Sequence, residues 1–259
     1  MDEKILHSRI VGHGQPLVIL HGFLGTSDNW LTLAKRWAGH GFEVHLLDLR
    51  NHGKSFWDDR FDFEVLTGDL ERYIDHYQLQ HPHLLGHSLG GKIIMFDALD
   101  NPGNRGKYIV ADIAPRSYPP HHQYIFDAVK KIDPAKITSR QEAGNILSAE
   151  MNDPFLAGFL LKSLKRTAGG FRWSHNWEVL EDNMEEVGEG LPPMQLSEKP
   201  FLFLKGENSP YIKEEDYPVI KAYFPNARIK TVKNAGHLLH LDAPDEVFKT
   251  VLNFLQDKV

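Results

Sequence analysis

The feature that most constrains this 259-residue chain is Gly86-His87-Ser88-Leu89-Gly90, set between an apolar run at His83 to Leu85 and a helical pattern from Gly91 to Leu99. A Gly-x-Ser-x-Gly at such a junction holds its serine on a sharp strand-to-helix turn with unfavourable backbone angles, where bulky neighbours collide. Gly86 and Gly90 relieve the crowding, and Gly91 lets the helix pack closely on the sheet. The helix N-terminus that follows also favours negative charge near the serine. Out of context the pentapeptide is an ordinary glycine turn; in this setting it reads as a presented nucleophile, Ser88.

The rest of the chain supplies the sheet that such a unit needs. Leu17 to Leu20, Val44 to Leu47, His83 to Leu85, Tyr108 to Ala111, Phe201 to Leu204 and Arg228 to Val232 are short apolar strand candidates, with a weaker one at Leu6 to Val11. Helical patterns at Trp30 to Ala38, Glu64 to Tyr77, Gly91 to Leu99, Glu214 to Tyr223 and Pro244 to Gln256 intervene. This alternation predicts an α/β fold, a mostly parallel central sheet covered by helices. It breaks between about Arg116 and Glu198, where helical patterns at Tyr124 to Ile132, Ser139 to Met151, Pro154 to Lys165 and Trp177 to Val187 follow one another. The expected organisation is a core of residues 1–115 and 199–259 with an inserted helical cap, 116–198. Ser139 with Glu142 is a capping-box signal at one of its helices.

Composition narrows the chemistry. A net charge of -6 gives no electrostatic reason to expect nucleic acid. With no cysteine, a thiolate nucleophile, thiolate metal ligands and disulfides are excluded. The opening Met-Asp-Glu-Lys-Ile-Leu lacks the features of a signal or transit peptide, and no apolar stretch approaches the ~20 residues that span a bilayer. A cytoplasmic protein with no membrane partner is the expectation.

Acyl transfer at Ser88 needs two donors for the oxygen that becomes negative. The backbone N–H groups of Phe23, in His21-Gly22-Phe23-Leu24-Gly25 after a strongly apolar strand, and of Leu89 are the candidates; the alternative for the first is a simple glycine turn. A base must reach Ser88 from a loop at the same end of the sheet, and His237, after the last core strand, is so placed. Phe23 and His87 flank these groups and are expected to touch substrate. Two carboxylates compete to orient the base: Asp112, at the end of Tyr108 to Ala111, and Glu207, in the loop after Phe201 to Leu204. In that loop the position at which most such enzymes carry their acid holds Ser209. His240 reads as structural, since no third ligand of suitable spacing would complete a metal site. The pair His121-His122 reads as exposed cap surface whose members point different ways. Asp48 and Arg50 are expected to hold loops together. Phe155, Phe159 and other cap aromatics bury the cap on itself or line an acyl pocket. Lys162, Lys165 and Arg166 are expected to share one helical, solvated face, with an anionic-substrate site as the sharper alternative.

Taken together, His21 to Gly25, Asp48 to Ser55, Gly86 to Gly90, Asp112-Ile113-Ala114-Pro115, Gly206 to Tyr211 and Gly236-His237 resemble the YbfF-like esterases of bacteria and the related abhydrolase-domain-containing-11 type. The resemblance implies the α/β-hydrolase fold, a Ser88, Asp112, His237 triad, and hydrolysis of a small-molecule carboxylic ester or acyl thioester without cofactor or metal. Carbon–carbon bond hydrolysis and a non-catalytic ligand-binding role on the same scaffold remain as alternatives. Relatives of this fold that use an aspartate nucleophile are excluded by Ser88.

Overall fold

The computed structural model describes residues 4–101, 103–193 and 195–257. Its strands are β1 (Ser8–Gly12), β2 (Gln15–Leu20), β3 (Phe42–Leu47), β4 (His83–His87), β5 (Tyr108–Ala111), β6 (Leu164–Thr167), β7 (Gly170–Trp173), β8 (Phe201–Gly206) and β9 (Arg228–Val232). Seven of them form one sheet in the order β1-β3-β2-β4-β5-β8-β9, parallel except for β1 at the edge. Every expected strand is present.

The apolar runs are continuous because both faces are covered. Val18, Leu20, Leu84, Val110 and Phe203 enter one hydrophobic cluster, while Leu17, Ile19, Leu85, Ile109 and Leu204 enter the other. At roughly 1.5–3 kcal/mol for each fully buried large aliphatic side chain, these central strands fix the register of everything above them. After two short helices, α9 (Tyr217–Tyr223) and α10 (Leu239–Asp242), the last helix α11 (Pro244–Gln256) lies with α1 (Leu31–Ala38) on the second face, where Trp37 stacks near Phe248. α11 buries Val247, Phe248, Val251, Phe254 and Leu255, the spacing of a single helical stripe. The first face carries α2 (Phe63–His76) and α3 (Leu89–Asp100), with Phe63 stacked on Phe96 at 4.5 Å.

Between β5 and β8 the chain makes its excursion through α4 (Gln123–Lys130), α5 (Arg140–Met151), α6 (Pro154–Leu161), α7 (Trp177–Asp182) and α8 (Met184–Val187). Ser139 caps α5 by accepting from the Glu142 N–H, and Asp153 caps α6 by accepting from Leu156 N–H. Ile125, Val129, Leu147 and Leu160 continue the first-face cluster upward, so the cap is packed on the core.

The expectation of a purely helical cap is corrected here: β6 and β7 form an antiparallel hairpin. The helical pattern starting at Pro154 ends at Leu161, short of Lys165, and the Gly169-Gly170 corner, with Gly170 at φ 128°, turns the chain back. Lys165 therefore stands opposite Arg172 on a strand, and Lys162, Lys165 and Arg166 share no helical face.

The two connections of the cap run side by side. Tyr118 N–H donates to Gly188 O and Leu191 N–H to Pro115 O. Lys92, buried in α3, donates its ammonium to the carbonyls of both Arg116 and Glu189. Burial pushes this lysine down to about 7. Among the described residues, no helix is long and apolar enough to cross a membrane.

Candidate active site

The site lies where β2, β4, β5 and β8 end, the edge at which parallel sheets receive ligands. Ser88 sits between β4 and α3 at φ 51° and ψ −114°, a conformation that costs energy in any residue with a side chain. It persists because its surroundings over-determine it. Ser88 N–H donates to Ala111 O at 3.0 Å and its carbonyl starts the helix at Lys92. A Cβ on Gly86 would stand 2.1 Å from Gly90 O, and one on Gly90 would stand 2.4 Å from Leu20 O, so neither glycine can be replaced without moving the turn.

Asp112 follows β5 at φ 55° and is fully buried. One carboxylate oxygen accepts from Gly206 N–H at 2.9 Å. The other accepts from His237 Nδ1 at 2.8 Å and from the Ser209 hydroxyl. Glu207 points elsewhere: it is exposed and accepts from Asn234 N–H at 2.8 Å.

His237 is held between two rings. His87 lies on one side at 4.7 Å, and its Nε2–H donates to the His237 carbonyl at 2.9 Å. Burial holds His87 well below the usual histidine range, in keeping with a neutral donor. On the other side Tyr211 stacks at 3.8 Å with 16° between the planes. His87 thus lines the cavity, but one of its nitrogens is committed to the backbone of His237.

The loop after β2 is built around three buried histidines. His21 Nδ1–H donates to Gly22 O, and its Nε2 accepts from Leu49 N–H. His52 donates through Nδ1 to Arg50 O and accepts from Leu24 N–H. His175, from the cap, donates Nε2–H to Leu24 O at 3.0 Å. Leu24 is at φ 61°, so both of its backbone groups are held while it adopts a left-handed turn. Desolvation lowers all three imidazoles, His175 to about 4, and keeps them neutral. Phe23 N–H, at the crest of this loop, donates to no group among the described residues. Leu89 N–H is the first of α3 and has no intrahelical acceptor.

Ser88, His237, Phe23 and His87 line one cavity of about 280 Å³, whose far wall is the cap: Ile125, Phe155, Leu156, Phe159 and Leu160. His121 and His122 also line it, the first exposed, the second half-buried and pushed down to about 4 by desolvation. Their rings lie 4.0 Å apart, which corrects the expectation that the two point different ways; the expected exposure holds for His121 and not for His122. His240 is buried against Trp30 at 4.3 Å, a packing position. Asp48 accepts from the Ser27 and Lys54 N–H groups and Arg50 donates to Arg60 O, so both tie loops together as expected, and Arg50 also forks onto Asp69 of α2. Tyr211 and His175 are not singled out by sequence, and His122 is read there only as exposed surface. Tyr211 belongs to the Gly206 to Tyr211 motif, which is the available signal for it; His175 has none, and the pair His121-His122 carries no sign of a place in the cavity.

A covered parallel sheet, an inserted cap and a serine on a strained strand-to-helix bend describe the α/β hydrolases, and the chain belongs to the Alpha/beta hydrolase family, whose pattern it matches over residues 17–250. Among solved structures it is similar to one described as a marine microorganism esterase, at 37% identity and a TM-score of 0.94, covering 98% of this chain and 100% of that one. It is 31% identical to Esterase YbfF of Escherichia coli over 95% of this chain and 94% of the relative. It is 34% identical to the sn-1-specific diacylglycerol lipase ABHD11 of Danio rerio, over 95% of this chain and 80% of the relative.

Proposed function

We propose that the protein is a carboxylic ester hydrolase that works through an acyl-enzyme on Ser88, with His237 as general base and Asp112 as the acid that orients it. The observation that carries this reading is the 2.8 Å contact from His237 Nδ1 to a fully buried Asp112 carboxylate, in a histidine that shares a cavity with Ser88. The esterase and lipase names of its relatives support the same reaction class.

In this mechanism Ser88 Oγ attacks the ester carbonyl carbon while its proton passes to His237 Nε2. Asp112 holds the Nδ1 proton and stabilises the resulting imidazolium. The amides of Phe23 and Leu89 receive the negative oxygen, a contribution of roughly 10²–10³ in rate for each donor. The leaving oxygen takes the proton from Nε2 as its bond to carbon breaks. Water, giving a proton to the same nitrogen, then attacks the acyl-serine; that proton passes to Ser88 Oγ as the acyl bond breaks, which releases the acid and restores the hydroxyl and the neutral imidazole.

The apolar cap wall favours an uncharged acyl group, and nothing in the mechanism distinguishes an oxygen from a sulfur leaving group. A panel of p-nitrophenyl esters, acylglycerols and acyl-CoAs of graded length, with Ser88→Ala as control, tests the reading. Hydrolysis and fluorophosphonate labelling that both vanish in Ser88→Ala are the expected result. Labelling that survives the substitution places the nucleophile elsewhere, and binding without turnover of any ester points to a receptor.

A further inference from the structure

The general base has a neighbour that the triad leaves without a role. Tyr211 covers one face of His237 with ring centroids 3.8 Å apart and planes within 16° of parallel. Its placement is specified from several directions. Tyr118 OH donates to Tyr211 O, and Tyr211 N–H donates to Ser209 Oγ at 3.3 Å. The Tyr211 hydroxyl lies 2.7 Å from His121 Nε2. His121 Nδ1 lies 3.0 Å from Pro119 O and so carries the ring proton, which leaves Nε2 to accept from the tyrosine. Two residues at the base of the cap, Tyr118 and His121, therefore set where the phenol ring lies. The same loop sends Ser209 to Asp112, so one short segment touches both the acid and the base.

We propose that Tyr211 is a positioning residue for the general base, holding the His237 imidazole in plane and stabilising its positive charge during turnover through the face of the phenol ring. The proposal rests on His237 being the base. Each proton transfer from Ser88 turns the imidazole into an imidazolium, and an aromatic face attracts a cation set against it more than it attracts the neutral ring. The other groups around His237 do not duplicate this. Asp112 meets Nδ1 in the ring plane, while His87, His240 and His122, which also face it, are pushed down by burial and stay neutral. Burial, reinforced by the charge of Asp112, raises the Tyr211 hydroxyl to about 12, so the ring stays a neutral phenol over the working range.

Packing alone and charge stabilisation make different predictions for the pH profile. His237 must be neutral to act, so kcat/KM rises with pH through the acid limb. Removing the aromatic face makes the imidazolium give up its proton more readily, which lowers the midpoint of that limb while also lowering the plateau. Tyr211 also lines the cavity and so bears on KM as well, which leaves the profile to decide: Tyr211→Leu is expected to reduce plateau kcat by about tenfold and shift the acid limb to lower pH. Tyr211→Phe keeps the face and is expected to hold the midpoint, and His121→Ala, which frees the hydroxyl, is expected to fall between the two. A Tyr211→Leu enzyme with a reduced plateau and an unmoved midpoint overturns the proposal in favour of packing, as does one that matches the parent in both. Should Tyr211→Leu fail to fold, phenylalanine and pentafluorophenylalanine at position 211 decide it, because they share a shape but oppose each other in the charge of the ring face. The fluorinated ring is expected to lower the midpoint relative to phenylalanine, and equal midpoints overturn the proposal. His237→Ala is run alongside: full activity there refutes the underlying assignment of the base, whereas loss of activity there leaves the Tyr211 result to stand or fall by itself.

Discussion

The Ser209 hydroxyl donates to the Asp112 oxygen that also accepts from His237. The loop after β8 thus supplies a hydroxyl that supports a carboxylate delivered from the neighbouring strand β5. With Gly206 N–H on its other oxygen, the buried carboxylate has three donors, which offset the cost of keeping a charge out of water.

Removing that hydroxyl leaves Asp112 with two donors. Ser209→Ala is expected to lower unfolding free energy by about 2 kcal/mol and kcat by up to about tenfold, measured by urea denaturation and steady-state hydrolysis of p-nitrophenyl acetate. An unchanged variant in both assays shows that the contact carries no weight.

The two candidate acids are separated by their partners. Asp112→Asn is expected to reduce kcat by roughly 10⁴, because the amide can hold the imidazole in the wrong tautomer. Glu207→Gln, whose parent carboxylate meets only Asn234 N–H among the described residues, is expected to stay within about twofold of the parent. Reversal of these two effects transfers the orienting role to Glu207.

His175 links the cap to the Leu24 carbonyl and is pushed down to about 4 by burial. In the unfolded chain it titrates near 6.5, so between pH 6.5 and 4 the unfolded state binds the extra proton. Stability therefore falls as pH drops through that window, by up to roughly 3 kcal/mol for this one group. His175→Gln cannot take up that proton. Its urea midpoint, measured from pH 7 to pH 4.5, is expected to vary less steeply than that of the parent. Equal slopes count against a neutral buried His175.

In the proposed mechanism the cap wall bounds the acyl group. Leu156→Trp adds bulk to the cavity from a half-buried position on α6. It is expected to cut kcat/KM for octanoyl esters by at least about tenfold while acetyl esters change little, since only the longer chain meets the new ring. An equal loss on both substrates argues that the acyl chain lies elsewhere.

Much of the fold is legible in the sequence because the sheet announces itself. Strands buried on both faces leave short apolar runs, and Pro244 at the start of α11 marks its beginning to the residue. Ser88 and Asp112 each sit at the end of such a run, and His237 lies five residues beyond the edge strand β9, so the strands locate all three at one end of the sheet. The cap hairpin was hidden because Phe155 to Leu161 carries an apolar pattern that runs straight into Leu164. A strand of four residues such as β6 has too few positions to establish its own period. The partnership of His175 with Leu24, 151 residues apart, is a product of how the cap settles on the core, and local pattern carries no trace of it. Tyr211 against His237 is of the same kind.

Lys92 ties the outgoing and returning strands of the cap at one point, a single turn along the helix that starts from Ser88. A unit that leaves and re-enters its host at neighbouring positions behaves as a cassette. Its helices can vary without relaying the sheet only where the two carbonyls still meet the ammonium and the contacts of Tyr118 and His121 with Tyr211 and of His175 with Leu24 are kept. Selectivity can then change on a short evolutionary path while the bond-breaking apparatus stays fixed underneath.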